Sequence, residues 1–275
     1  MKIGATLLYD DYCPLCSWYS GLFVRYKFLK PESRVAFSSA KMEILACIDI
    51  DRARNEIPLF DEQTKEAKYG IDALLEIFGS RWPTIKRVGH FPPINWFLRR
   101  SYKLVSYNRK VIVAKKCGDG RFDCAPSFNV FYRVIFLSLS LIFNSLMLYP
   151  LHNKLFSPLP FYRLSFYELQ FSHMIFVLIN CVIACLLKQR KALEYLGQVN
   201  MLAIMTILLL LPAIVVLSLV PFAQWIVLFY LICLTSFVVK EYFRRMGYAN
   251  ILLNHKSIVA TNLVCLAAFL IYVFH

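Results

Sequence analysis

The run Tyr9-Asp10-Asp11-Tyr12-Cys13-Pro14-Leu15-Cys16 holds the residues best suited to chemistry. It follows a short apolar stretch (3–8) and precedes an amphipathic one (17–30), which predicts a strand, a tight turn and the start of a helix. At a helix N-terminus, unpaired backbone N–H groups and the positive end of the helix dipole favour a thiolate, so Cys13 gains acidity there. Cys16 lies one turn deeper, where it can attack a mixed disulfide formed on Cys13. The chemistry is thiol–disulfide exchange. Asp10 either helps to move the proton of Cys16 or only caps the turn.

Composition separates the element that carries this motif from the rest of the chain. Of 275 residues, 59% are hydrophobic and only 17% charged, too apolar for an ordinary soluble domain. Residues 1–125 contain 21 Lys/Arg and 14 Asp/Glu, and residues 126–275 contain 10 and 3. The division predicts a soluble-like domain over 1–125 and a membrane region over 126–275. Each part nets +7; with so little acid in the second, the basic surplus suits an anionic membrane surface and not nucleic acid. Residues 1–8 are too short and too weakly apolar for a cleavable signal, so the domain is expected to stay where it is made. Nine cysteines without regular spacing do not suggest a secreted disulfide framework. In a reducing cytosol a CxxC pair is catalytic or metal-binding.

Within the first part, residues 34–38 form a second short strand, and 41–56 a solvated helix or loop. Ile57-Pro58-Leu59-Phe60 then opens a strand, followed by a polar turn (61–65) and a helix (70–78). Thioredoxin-like folds place a cis-proline beside a CxxC in this order, so Pro58 is either that proline or an ordinary trans proline at a strand entrance. Residues 81–121 carry eleven Lys/Arg against one acid, interleaved with Trp82, Phe91, Trp96, Phe97, Tyr102 and Tyr107. Stacking on single-stranded nucleic acid is one use of such a mixture. Its place just before an apolar span favours a helix (93–108) lying against lipid headgroups, or a solvated basic face with its aromatics in the core.

Tyr9-Asp10-x-x-Cys13-x-x-Cys16, Tyr69-Gly70-Ile71-Asp72-Ala73-Leu74-Leu75, residues 98–102 and Tyr107-Asn108-Arg109 together resemble the DCC family (DUF393) of thiol-disulfide oxidoreductases, over about residues 5–125. The resemblance implies a thioredoxin-like α/β fold with Cys13 as nucleophile and Cys16 as resolving thiol. Asp11 stands where the family pattern has glycine. That exchange makes the turn less permissive and places negative charge near Cys13, against the helix dipole.

Cys117 and Cys124 flank a glycine-rich loop before the first span. With Cys13 and Cys16 they could complete a tetrahedral four-thiolate zinc site, although C-x6-C is wider than the common spacing. Alternatively they form a second dithiol that exchanges with the first, or share no chemistry with it.

Five apolar stretches follow, near 131–149, 171–187, 199–220, 222–239 and 258–274, each about one bilayer core long as a helix. Five spans put Lys188, Arg190, Lys191, Lys240, Arg244, Arg245 and Lys256 on the side of the N-terminal domain, and only Lys154 and Arg163 opposite. Positive-inside then predicts a cytoplasmic domain and an external His275. Intramembrane Asn144, Asn180, Asn262 and Gln224 are expected to hydrogen-bond between helices.

The sequence therefore points to a membrane-anchored thiol-disulfide oxidoreductase with no cofactor, acting on an unidentified disulfide protein or small thiol and in contact with membrane lipid. The alternative is a non-enzymatic membrane protein whose four domain cysteines hold structural zinc and whose helices bind a partner.

Overall fold

The computed structural model describes residues 4–114, 126–159, 162–220 and 224–274. The chain divides into two compact units, Met1–Tyr132 and Arg133–His275.

In the first unit, β1 (Ala5–Tyr9) leads into α1 (Pro14–Arg25), which returns the chain to β2 (Arg34–Ala36). A helical crossover of this kind makes the two strands parallel, and they pair with Leu7 opposite Arg34 and Tyr9 opposite Ala36. Two short helices follow, α2 (Met42–Ala46) and α3 (Ile50–Ala53), then the hairpin of β3 (Pro58–Asp61) and β4 (Ala67–Tyr69). The hairpin turn is held by Asp61 Oδ1, which accepts from the backbone N–H of Gln63 at 2.9 Å. Lys65 takes the left-handed conformation (φ 58°) that the turn needs. β3 runs antiparallel to β1, giving the sheet order β2-β1-β3-β4. Helices α4 (Gly70–Gly79), α5 (Pro83–Gly89) and α6 (Pro92–Val113) complete the unit. This is a small thioredoxin-like α/β domain.

Strand alternation decides where the core sits. Leu7 faces Leu59 in the β1–β3 register, and both pack with Phe23 of α1, Phe28 just after it, and Ala73 and Ile77 of α4. Their neighbours Leu8 and Phe60 point to the opposite face and pack with Leu45 and Ile48. The segment 41–56 is thus not simply solvated; its apolar side chains cover the second face of the sheet.

Pro58 opens β3 opposite Tyr69, and the peptide bond before it is trans. The cis alternative is therefore corrected. The Ile57 N–H donates to the Tyr102 hydroxyl at 2.9 Å, and the Ile57 carbonyl accepts from Gly70 N–H at 2.9 Å. These bonds fix the extended approach to the strand. Gly70 itself sits at φ +58°, where a Cβ would lie 3.1 Å from a Tyr102 ring carbon and 3.3 Å from a Glu56 carboxylate oxygen. Gly70→Ala is expected to cost about 1–2 kcal/mol, from left-handed strain and crowding of Tyr102. Thermal melting of the full-length protein in detergent, followed by near-UV circular dichroism, would show a fall of several degrees.

The second unit is helical: α7 (Val130–Leu151) enters it from the first, followed by a π-helical turn (His152–Phe156), α8 (Phe166–Cys185), α9 (Gln189–Leu219), α10 (Gln224–Tyr248), α11 (Ile251–Asn254) and α12 (Lys256–Phe274). Four helices, Val130–Phe156, Phe166–Cys185, Gln189–Leu219 and Gln224–Tyr248, are long and apolar enough to cross a membrane, and the fifth apolar stretch forms a shorter helix. The chain is accordingly an integral membrane protein. α9 continues through Pro212; Pro221 lies outside the described residues. Asn180 Oδ1 accepts from the Tyr195 hydroxyl at 2.7 Å and from Asn262 Nδ2 at 2.6 Å. The bonds tie α8, α9 and α12 together where a polar group facing lipid would be costly. Gln224 instead donates to the Pro158 carbonyl at 3.1 Å.

Candidate active site at Cys13 and Cys16

The site is built where β1 gives way to α1. Asp10 Oδ1 accepts from the backbone N–H groups of Tyr12 (3.0 Å) and Cys13 (3.2 Å), closing a turn with a side chain that mimics backbone. Cys13 then occupies the N-cap of α1 in extended conformation, with Pro14 at the first helical position, where its missing N–H costs nothing. Asp11 takes this turn without a positive φ, so replacing the family's glycine introduces no left-handed strain. Its carboxylate accepts from the Ser38 hydroxyl at 2.8 Å.

Cys13 and Cys16 are both buried free thiols, 8% and 3% exposed. Their sulfurs and an Asp10 carboxylate oxygen all lie within 4.8 Å of one another. From α6, Arg109 reaches into this group. Its Nη1 donates to Cys16 Sγ at 3.3 Å, its Nη2 donates to the Arg54 carbonyl at 2.7 Å, and Nη2 lies 3.8 Å from Asp10 Oδ2.

These neighbours divide the two thiols. Cys13 is lowered to about 6, chiefly because its sulfur accepts a hydrogen bond from the Cys16 thiol. Burial opposes this, the Cys16 backbone N–H and the Arg109 charge add to it, and Asp10 works against it. Cys16 is raised, first because it donates that hydrogen bond and then because it is buried. Burial raises Asp10 as well, with Arg109 and the two backbone N–H groups pulling the other way. For Arg109, burial disfavours the charge, but Cys16, Cys13 and Asp10 more than offset it and its pKa rises. The carboxylate that bears on Cys13 is Asp10 and not the Asp11 that the sequence suggested. Asp10 Oδ2 is buried and accepts no hydrogen bond among the described residues.

A cleft of about 20 Å³ beside Cys13 is lined by Asp10, Tyr12, Pro14, Arg109, Lys110, Val113 and Pro126. It has room for about one water-sized group. A larger hollow of about 480 Å³, lined by residues that include Gly4, Thr6, Asp61 and Glu76, has neither cysteine in its walls.

Of the residues singled out from sequence, Asp10, Cys13 and Cys16 come together. Pro58 is buried in β3, and Cys117 and Cys124 lie outside the described residues. Asp10, Cys13 and Cys16 are a donor set that suits a metal such as zinc. The Arg109 guanidinium already lies among them, supplying the positive charge that a cation would bring. Sequence reasoning missed the part played by Arg109: the one signal was its place in Tyr107-Asn108-Arg109, 93 residues from Cys16.

A thioredoxin-like sheet with a CxxC at the start of its first helix defines a thiol-redox domain. Residues 7–115 match the family model of DCC1-like thiol-disulfide oxidoreductases, and the N-terminal domain is a member of that family. No curated protein and no solved structure gives a significant match to the chain.

Proposed function

We propose that this protein is a membrane-anchored thiol-disulfide oxidoreductase in which Cys13 is the nucleophile and Cys16 the resolving thiol. The observation that carries the reading is the asymmetry of the pair: Cys13 is lowered to about 6 while Cys16 is raised, with Arg109 and Asp10 beside them. At neutral pH Cys13 is therefore the thiolate, and Cys16 keeps its proton.

The Cys13 thiolate attacks one sulfur of a partner disulfide. The partner S–S bond breaks, its second sulfur leaves as a thiolate, and a mixed disulfide forms on Cys13. Cys16, no longer hydrogen-bonded to a thiolate, passes its proton to Asp10 Oδ2 and attacks Cys13 Sγ. The Cys13–Cys16 disulfide forms and the first partner sulfur departs as a thiolate. Two electrons move from the domain to the partner, and the reverse sequence oxidises a dithiol. Because the cleft at Cys13 is so small, the partner presents its disulfide at the surface, over Tyr12, Pro14 and Lys110. Either a protein or a small thiol compound meets that requirement.

We propose that the domain lies in the cytoplasm, with the far end of Lys256–Phe274 on the opposite side if that helix also crosses. Support comes from the basic residues that flank the ends of the apolar helices, Lys188, Arg190, Lys191, Arg244 and Arg245 on the domain's side.

The test is a redox titration of the full-length protein with thiol trapping. Cys13 and Cys16 are expected to interconvert as a two-electron pair. Absence of a Cys13–Cys16 disulfide at every attainable potential would sink the enzyme reading, and tightly bound zinc protecting both thiols would favour the structural alternative.

A further inference from the structure

Helix α6 has two unlike sides. Toward the domain it sends Arg109, to the cysteines, and Tyr102, to the start of β3. Trp96, Arg100, Lys103 and Tyr107 follow one another at steps of four, three and four, so they form a stripe along the other side. Trp96 and its neighbour Phe97 are each 62% exposed, so these two aromatics lie outside the core that one of the two sequence readings gave them. The Arg100 guanidinium lies over the Trp96 ring, 5.6 Å from its centroid, and Lys103 approaches Glu56 only to 3.7 Å. Large aromatics presented to the outside together with cations suit the bilayer headgroup region, where one end of the side chain is dry and the other wet.

A second observation says where this stripe leads. Tyr107, at its end, stacks on Tyr132 with ring centroids 5.1 Å apart, and Asn108 Nδ2 donates to the Tyr132 carbonyl at 3.1 Å. Tyr132 closes the N-terminal unit, and it stands in the first turn of α7, the first helix long and apolar enough to cross a membrane. The stripe thus runs from exposed Trp96 and Arg100 to half-buried Lys103 and Tyr107, beside the first turn of α7, and Trp96 is only about 16 Å along the helix from Tyr107 at 1.5 Å per residue.

We infer that this side of α6 seats the domain on an anionic bilayer surface, with Trp96 and Phe97 entering the headgroup layer and Arg100 and Lys103 meeting lipid phosphates. The inference is independent of the thiol chemistry.

The experiment uses the full-length chain carrying Trp18→Phe, Trp82→Phe and Trp225→Phe, which leaves Trp96 as the fluorophore; all three replaced side chains are exposed. The protein is reconstituted into phosphatidylcholine vesicles, with or without phosphatidylglycerol, that contain lipid brominated near the headgroup end of the acyl chain. Bromolipid in the anionic vesicles is expected to roughly halve Trp96 emission, as for an interfacial aromatic. The quenching should weaken in neutral vesicles and on Arg100→Glu. Trp96 open to acrylamide and untouched by bromolipid would overturn the inference, as would Trp96 closed to both quenchers. Equal quenching in neutral vesicles would overturn the anionic assignment. Quenching by single-stranded poly(dT) in place of lipid would transfer the surface to nucleic acid.

Discussion

Replacing Cys16 by serine is expected to leave the protein covalently joined to its partner. Cys13 keeps its attacking sulfur, so the mixed disulfide forms, but the resolving thiol one turn away is gone, and the adduct accumulates until another thiol releases it. Non-reducing electrophoresis and mass spectrometry of the adduct name the partner and the bonded cysteine. Cys13→Ser in the same background should capture nothing, and either single variant should lose at least roughly a thousandfold in turnover, as expected when a covalent nucleophile or its resolving group is removed. Capture that survives Cys13→Ser would assign the nucleophile to another cysteine.

Arg109→Met should have the second largest effect, and on two readouts at once. The guanidinium donates to Cys16 Sγ and to the Arg54 carbonyl and stands 3.8 Å from Asp10. Methionine fills similar space without charge, leaving a buried carboxylate with no nearby cation. Loss of one member of a buried pair costs about 3–5 kcal/mol. The midpoint for alkylation of Cys13 should also move upward from about 6, because one of the groups favouring the thiolate is gone. The direction of the pH dependence follows from that depressed value. Ionised Cys13 stabilises the folded dithiol fully above its ordinary value of 9.0, and this contribution is lost as pH falls through about 6. Arg109→Met should therefore destabilise the reduced protein more at pH 8 than at pH 5. Arg109→Lys should recover part of the alkylation shift and little of the stability, since an ammonium cannot reach Cys16 Sγ and the Arg54 carbonyl with the two arms of a planar fork. Equal destabilisation at both pH values, with an unmoved alkylation midpoint, would reduce Arg109 to a packing residue.

The sequence made some of this domain legible and left other parts hidden, for physical reasons. A short apolar run before the CxxC, and Pro58 with its apolar neighbours, announced β1 and β3 because buried strands need continuous apolar side chains. β4 was missed: Ala67-Lys68-Tyr69 is a three-residue edge strand with an exposed lysine, and nothing in so short a run separates it from a turn. The cysteines could be found by spacing because they share one helical turn. Arg109 could not, since the contact that matters closes across the whole domain and depends on how α6 packs. The opposition expected from Asp11 went to Asp10 because direction counts as well as proximity: Asp11 turns out to Ser38, while Asp10 folds back beneath the cysteines. Apolar length marked five stretches; four lie in helices long and apolar enough to cross a membrane, and the fifth forms the shorter helix Lys256–Phe274.

The stacked pair Tyr107 and Tyr132 bears on which partners this chemistry can serve. A redox domain on a slack tether searches a volume, and any soluble disulfide that drifts into it is a substrate. Here Tyr132, in the first turn of α7, is held by the helix that carries Arg109. A redox domain joined to a span meets disulfides held near the membrane more often than those free in bulk solution, so selection turns on position as well as on reactivity.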